Sequence, residues 1–143
     1  MPAVSPFTSL DRAFARFLAR RQPATDPRQV WLAALASHQY GRGHACLDLA
    51  ALSSDPAGLL GWNSEALAVL PPGLAEAATD LPWTRGGSSS PLVLDGPPTA
   101  QRLYLRRTWQ AERTILDRLA ERQRLPVDPP ARLAEHLDAL FQG

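Results

Sequence analysis

Apolar positions recur at three- and four-residue spacing at the start of the chain, alternate briefly in the middle, and return to helical spacing towards the end. Phe7, Leu10, Phe14, Phe17 and Leu18 predict an amphipathic helix with these residues on its buried face, and Asp11, Arg12, Arg16 and Arg20 on the solvent side. QPATDP breaks that helix. Asp26 followed by Pro27 then supplies an N-cap and a first-turn proline for a second one, carrying Val30, Trp31, Ala34, Leu35 and His38. Gly41 and Gly43 end it, because glycine accepts the backbone of a C-terminal cap.

CLDL alternates apolar and polar and predicts a short extended segment. Asp55-Pro56 and Asn63-Ser64 mark two further helix starts, with short helices through Leu59 to Trp62 and through Leu67, Val69 and Leu70, the second stopped by Pro71 and Pro72. Within GLAEAATDLPW a short helix fits, while TRGGSSSP is composed as a loop. PLVLD and RLYLR, separated by GPPTAQ, predict a β-hairpin with a long connection. Trp109, Glu112, Ile115, Leu116 and Leu119 define a helix ending near Arg124, and Asp128-Pro129-Pro130 opens a last one over about 129–141 with Leu133, Leu137, Leu140 and Phe141 on one face. The expected fold is α+β and mainly helical: a small bundle with a short antiparallel hairpin or three-stranded sheet, winged-helix-like in outline. One domain over residues 1–143 suits the length.

Composition narrows the chemistry. Lys+Arg is 15 against 14 Asp+Glu, so no global basic field draws the chain to nucleic acid, and any DNA contact must be local. All 15 basic residues are arginine. Without lysine the chain can build neither a Walker A phosphate loop nor a Schiff base. A single cysteine excludes an internal disulfide and a multi-thiolate zinc site. The first residues have no basic region followed by an apolar run, so the default expectation is cytoplasmic.

Two stretches could carry chemistry. In GRGHACLDL, residues 44–49 would place His44 and Cys46 on one face if extended, which permits a thiol–imidazole pair. No orienting carboxylate or oxyanion donors accompany them, and Cys46 with His38, His44 and His136 fits no familiar zinc spacing. The plainer reading makes Gly41, Gly43, His44 and Cys46 a structural corner, with His44 and Cys46 supporting it from inside. In RLYLRRTWQAERT, the arginines Arg102, Arg106, Arg107 and Arg113 surround Tyr104 and Trp109. Arginine interleaved with aromatics serves a nucleic-acid platform or a protein hot spot equally well, and core packing of Tyr104 and Trp109 is the third possibility. The carboxylates are scattered and suggest caps and solvated faces. No catalytic or metal-binding set emerges.

The order of these pieces is distinctive. LDRAFARFLAR, then LAALASHQYGRGHACLDL, then PLVLDG with RLYLRRTWQAER, then PARLAEHLDALF resembles the N-terminal domain of the RecD family, the alpha subunits of exodeoxyribonuclease V. The resemblance runs from about Leu10 to Phe141, and is most specific at Ser37-His38, Gly43-His44, Cys46-Leu47, Leu103-Tyr104-Leu105, Trp109 and Glu112-Arg113. It implies a non-catalytic domain that, in the parent subunit, precedes a 5′ to 3′ helicase motor of the RecBCD helicase-nuclease, which processes double-strand breaks. It further implies partners, the RecC-like gamma subunit first and the RecB-like beta subunit second, with DNA met through the complex. No cofactor is expected here, since ATP and magnesium would belong to the motor. A DNA-binding module built on the arginine hairpin is the competing expectation.

Overall fold

A computed structural model describes residues 6–85 and 87–124. The chain divides into two compact units, Met1–Trp109 and Gln110–Gly143. The last helix expected from the sequence, over about 129–141, lies outside the described residues.

Helix α1 (Ser9–Arg21) starts at a capping box. Thr8 Oγ1 accepts from the Asp11 amide at 3.2 Å and Asp11 Oδ2 accepts from the Thr8 amide at 3.0 Å. Helix α2 (Pro27–Gly41) repeats the device with Asp26 and Gln29, and the prediction from Asp26-Pro27 holds. Gln29 is buried and does double duty: its Oε1 accepts from the Thr25 amide at 3.0 Å, and its Nε2 donates to the Asp80 carbonyl at 2.9 Å. Residues 31–37 of α2 are all buried, so this helix is enclosed on nearly every side. It packs against α1, against the sheet and against the short helices that follow.

The buried face of α1 differs from the one expected. Leu18 is buried as expected, as is Phe7 just before the helix, but the residues that join them inward are Asp11 and Ala15, whereas Leu10 is 74% exposed and Phe17 52%. Leu10 and Phe17 lie roughly a quarter turn from their neighbours Asp11 and Leu18, as 100° per residue requires, while Phe14 is half-buried against the edge of the core.

Strand β1 (Leu47–Asp48) is short because Asp48 turns at once from strand to cap, its Oδ1 accepting from the Ala51 amide at 3.1 Å. That cap starts α3 (Leu49–Ser54), a helix the apolar alternation of CLDL did not suggest. Asp55 and Asn63 cap α4 (Pro56–Leu60) and α5 (Ser64–Ala68), starting them where the sequence predicts, but both end sooner than expected, so that Trp62, Val69 and Leu70 lie beyond them. Helix α6 (Leu74–Ala77) follows, and single 3-10 turns occupy Ala78–Asp80, Pro82–Thr84 and Gly87–Ser89. Trp83 is fully buried and its indole N–H is shared between the carbonyls of Leu18 and Gln22, both at 2.9 Å. It thereby closes the C-terminal end of α1.

Strands β2 (Leu92–Asp95) and β3 (Arg102–Leu105) form the predicted hairpin. The sheet has three antiparallel strands in the order β1-β3-β2, with Leu47 and Leu94 both opposite Leu103, and Leu92 opposite Leu105. These leucines share one face by the period of two, and Leu47, Leu92 and Leu103 have no or almost no exposure. The hairpin loop demands glycine at Gly96, whose φ is +100° and where a Cβ would lie 2.6 Å from the Ala100 carbonyl oxygen. Helix α7 (Arg106–Arg124) begins immediately after β3. Its residues from Gln110 onward belong to the second unit, and there Ile115, Leu116 and Leu119 form an exposed apolar stripe.

Candidate docking surface

The arginine-aromatic hairpin does not present its side chains as one open platform. The Tyr104 ring is only 7% exposed, so it has no free face for stacking. Arg102 lies on the outer face of the sheet, opposite Asp48 of β1 on one side and Asp95 of β2 on the other. A hydrogen bond with the Tyr104 side chain, with Cys46 and Asp48 close by, raises the Arg102 guanidinium above its ordinary value. Arg106 is spent on the chain itself. Its Nε donates to the Ser90 carbonyl at 2.9 Å, and its Nη2 donates to the Gly87 carbonyl and to Ser90 Oγ. The same guanidinium stacks over Trp109 at 5.4 Å, while the Trp109 indole donates to Asp95 Oδ2 at 3.1 Å. The structure thus joins Arg102 with Tyr104 and Arg106 with Trp109. Arg107 is exposed, and Arg113 lies farther along α7 in the second unit.

The glycine corner is a turn and not an extended strand. Gly41 is the last residue of α2, and Gly43 adopts φ +90° just beyond it. The His44 amide donates back to the Gln39 carbonyl at 2.9 Å, and strand geometry begins only at Leu47. His44 is exposed and Cys46 half-buried. Support from inside therefore comes from Leu47, with zero exposure, in place of the expected His44 and Cys46.

A polar cluster that the sequence did not single out sits between α1 and α2. Ser37 Oγ donates to Asp11 Oδ1 at 2.6 Å, and His38 Nδ1 lies 3.5 Å from Asp11 Oδ2. The indole N–H of Trp62 donates to His38 Nε2 at 3.0 Å. An indole nitrogen can only donate, so Nε2 carries the lone pair and the proton of the neutral ring sits on Nδ1, facing Asp11. Burial pushes the His38 imidazole below its ordinary value of 6.5, against the pull of Asp11 and with the help of Arg42. Phe7 and Trp62 pack edge-on to the ring at 5.7 and 5.5 Å. Although serine, histidine and aspartate meet here, they are not a nucleophilic relay. The hydroxyl is directed at the carboxylate, and the nitrogen that would act as base already accepts from Trp62. Among the described residues no group of three or more His, Cys, Asp or Glu could hold a metal ion.

The surface above this cluster is apolar. Leu10 and Phe14 of α1, Ser37 and Tyr40 of α2, Pro91 just before β2 and Leu105 of β3 line a shallow groove of about 370 Å³, together with Arg106 and Arg107. Tyr40 is 52% exposed, and Phe17 extends the stripe along α1 with the Arg21 guanidinium 5.6 Å from its ring centre. Grooves with an apolar floor and a charged edge fit a side-chain-bearing partner better than a small polar substrate.

No helix among the described residues is long and apolar enough to cross a membrane. A family model described as the RecBCD enzyme subunit RecD, N-terminal domain, matches residues 5–104, which include α1 to α6 and nearly all of the sheet. No curated protein matches the chain.

Proposed function

The chain belongs to the RecD N-terminal domain family, and on that premise we propose that it is a non-catalytic interaction domain of a RecD-type 5′ to 3′ helicase subunit. Its task in this reading is to attach that subunit to the RecC-like gamma subunit of exonuclease V for recombinational repair of double-strand breaks. The RecB-like beta subunit is a partner within the same complex, and ATP and magnesium would serve the motor, not this domain. The observation that carries the reading is the open apolar stripe of α1, with Leu10 and Phe17 both exposed. Large apolar side chains gathered in one open stripe are the usual mark of a protein contact.

DNA binding through the hairpin draws less support. Arg106 and Trp109 are held by Ser90 and Asp95, and the ring of Tyr104 is covered. Size-exclusion co-elution with the purified gamma subunit, beside a titration with single- and double-stranded DNA at two salt concentrations, separates the readings. Co-elution without salt-sensitive DNA binding is the expected result. Steeply salt-dependent DNA binding without co-elution would mean that phosphate contacts are the function.

A further inference from the structure

We propose that the groove between α1, the end of α2 and the β3–α7 junction receives an amphipathic segment of a partner protein, with apolar side chains seated on its floor and carboxylates meeting its arginine rim. This rests on the docking reading and adds the chemistry of the partner.

The floor is Leu10, Phe14, Tyr40, Pro91 and Leu105, with Ser37 its one uncharged polar residue. It is concave and apolar, with room for a few side chains but not for a folded domain. Charge around it has one sign. Arg106 and Arg107 are its charged lining residues, and on α1 the Arg21 guanidinium stands over Phe17, where the stripe formed by Leu10, Phe14 and Phe17 ends. The only carboxylate of α1, Asp11, is buried beneath that floor and already taken up by the Thr8 amide, the Ser37 hydroxyl and His38. Among the described residues no carboxylate forms an ion pair with Arg107. Guanidinium groups around an apolar floor match a segment that alternates apolar anchors with Asp or Glu, because the planar fork binds carboxylate through two parallel hydrogen bonds.

Other occupants fit less well. A second copy of this chain, placed on the same face by a two-fold axis, would bring one arginine rim against another. Nucleic acid would meet phosphate-binding arginines, but the floor is partly aliphatic and Phe14 is half-buried, so no row of open rings is offered to successive bases.

The test uses the full 143-residue chain and two fluorescent helical peptides with the same leucine anchors, one flanked by glutamate and one by lysine. A single-stranded oligonucleotide serves as a third probe. The expected result is that the glutamate peptide binds at least about tenfold more tightly than the lysine peptide. Arg107→Glu should erase that preference, and Leu10→Ser combined with Phe17→Ser should abolish binding while the thermal melt stays in place, since both side chains are exposed. Equal affinity for the two peptides, binding unchanged by the paired serine variant, binding of the oligonucleotide alone, or no binding of any probe would each overturn the proposal. Co-elution of wild type and paired variant with the gamma subunit distinguishes the two failures. If both co-elute, docking stands and uses another face; if wild type does not, the docking reading itself falls and the peptide preference still decides the groove.

Discussion

Helices α1 and α2 lie against one another and have similar lengths, yet they bury themselves by different rules. Helix α2 is apolar almost all round, and its neighbours bury every residue from 31 to 37. Helix α1 is more strongly amphipathic by sequence, but the face it turns to the core holds Asp11, Ala15 and Leu18 while Leu10 and Phe17 stay outside. The difference teaches that hydrophobic periodicity locates a helix better than it orients one. Rotation is decided by what the neighbour offers. Here α2 offers Ser37 and His38, two groups that a carboxylate can satisfy, and Asp11 goes in to meet them.

The contrast breaks most visibly under truncation. Leu35→Ala in α2 should cost about 2–5 kcal/mol, since a fully enclosed side chain leaves a cavity behind. Leu10→Ala on the exposed stripe should stay within about 0.5 kcal/mol. Urea denaturation of the two variants measures both, and equal losses would mean that the stripe of α1 is covered in solution.

Asp11→Ala should cost about 2–3 kcal/mol, because the Ser37 hydroxyl and the His38 Nδ1–H lose their acceptor inside the core and the Thr8 amide loses its helix cap at the surface. Asp11→Asn keeps part of the hydrogen bonding and should recover some of that loss. A variant of Asp11 as stable as wild type would show that the orientation of α1 is set by Leu18 and Ala15 alone.

Trp83→Phe tests the far end of the same helix. It preserves most of the ring but removes the N–H shared by the Leu18 and Gln22 carbonyls, and about 1–2 kcal/mol should follow. Faster amide exchange confined to the last turn of α1 would locate the effect.

The smallest expected change is with pH. Folding holds His38 below its ordinary value of 6.5, so between the two values the unfolded chain binds more protons than the folded one. Stability present above pH 6.5 is therefore lost as the pH falls through and below that value, and it levels off once the folded ring is also protonated. Protonation at Nε2 must displace the Trp62 indole, while Asp11 favours and Arg42 opposes the charge. Denaturation midpoints across this range should flatten in His38→Gln.

Much of the fold was legible because its signals are local. Asp26-Pro27, Asp55-Pro56 and Asn63-Ser64 each start a helix through a side chain that reaches the amide of a residue two or three places on, and no distant partner is needed. The hairpin was legible from its leucines and from GPPTAQ. Helix α3 was not, since Asp48 reads as the polar member of a strand alternation until its carboxylate is seen on the Ala51 amide. The candidate docking surface was least legible. Leu10 and Phe17 look like core residues in isolation, and only the pairing of Asp11 with Ser37, 26 positions away, turns them outward. The arginine-aromatic hairpin failed as a platform for a related reason, because Ser90 and Asp95 claim Arg106 and Trp109 from outside the motif.

The Trp83 bond to the end of α1 also sets an order of events during synthesis. The residue that closes the helix is made 61 positions after Gln22 and 65 after Leu18. At roughly 5–20 residues per second, the nascent chain carries an unsealed first helix for on the order of several seconds. Throughout that interval the last turn of α1 can pack against α2, but it lacks the indole donor that later closes it.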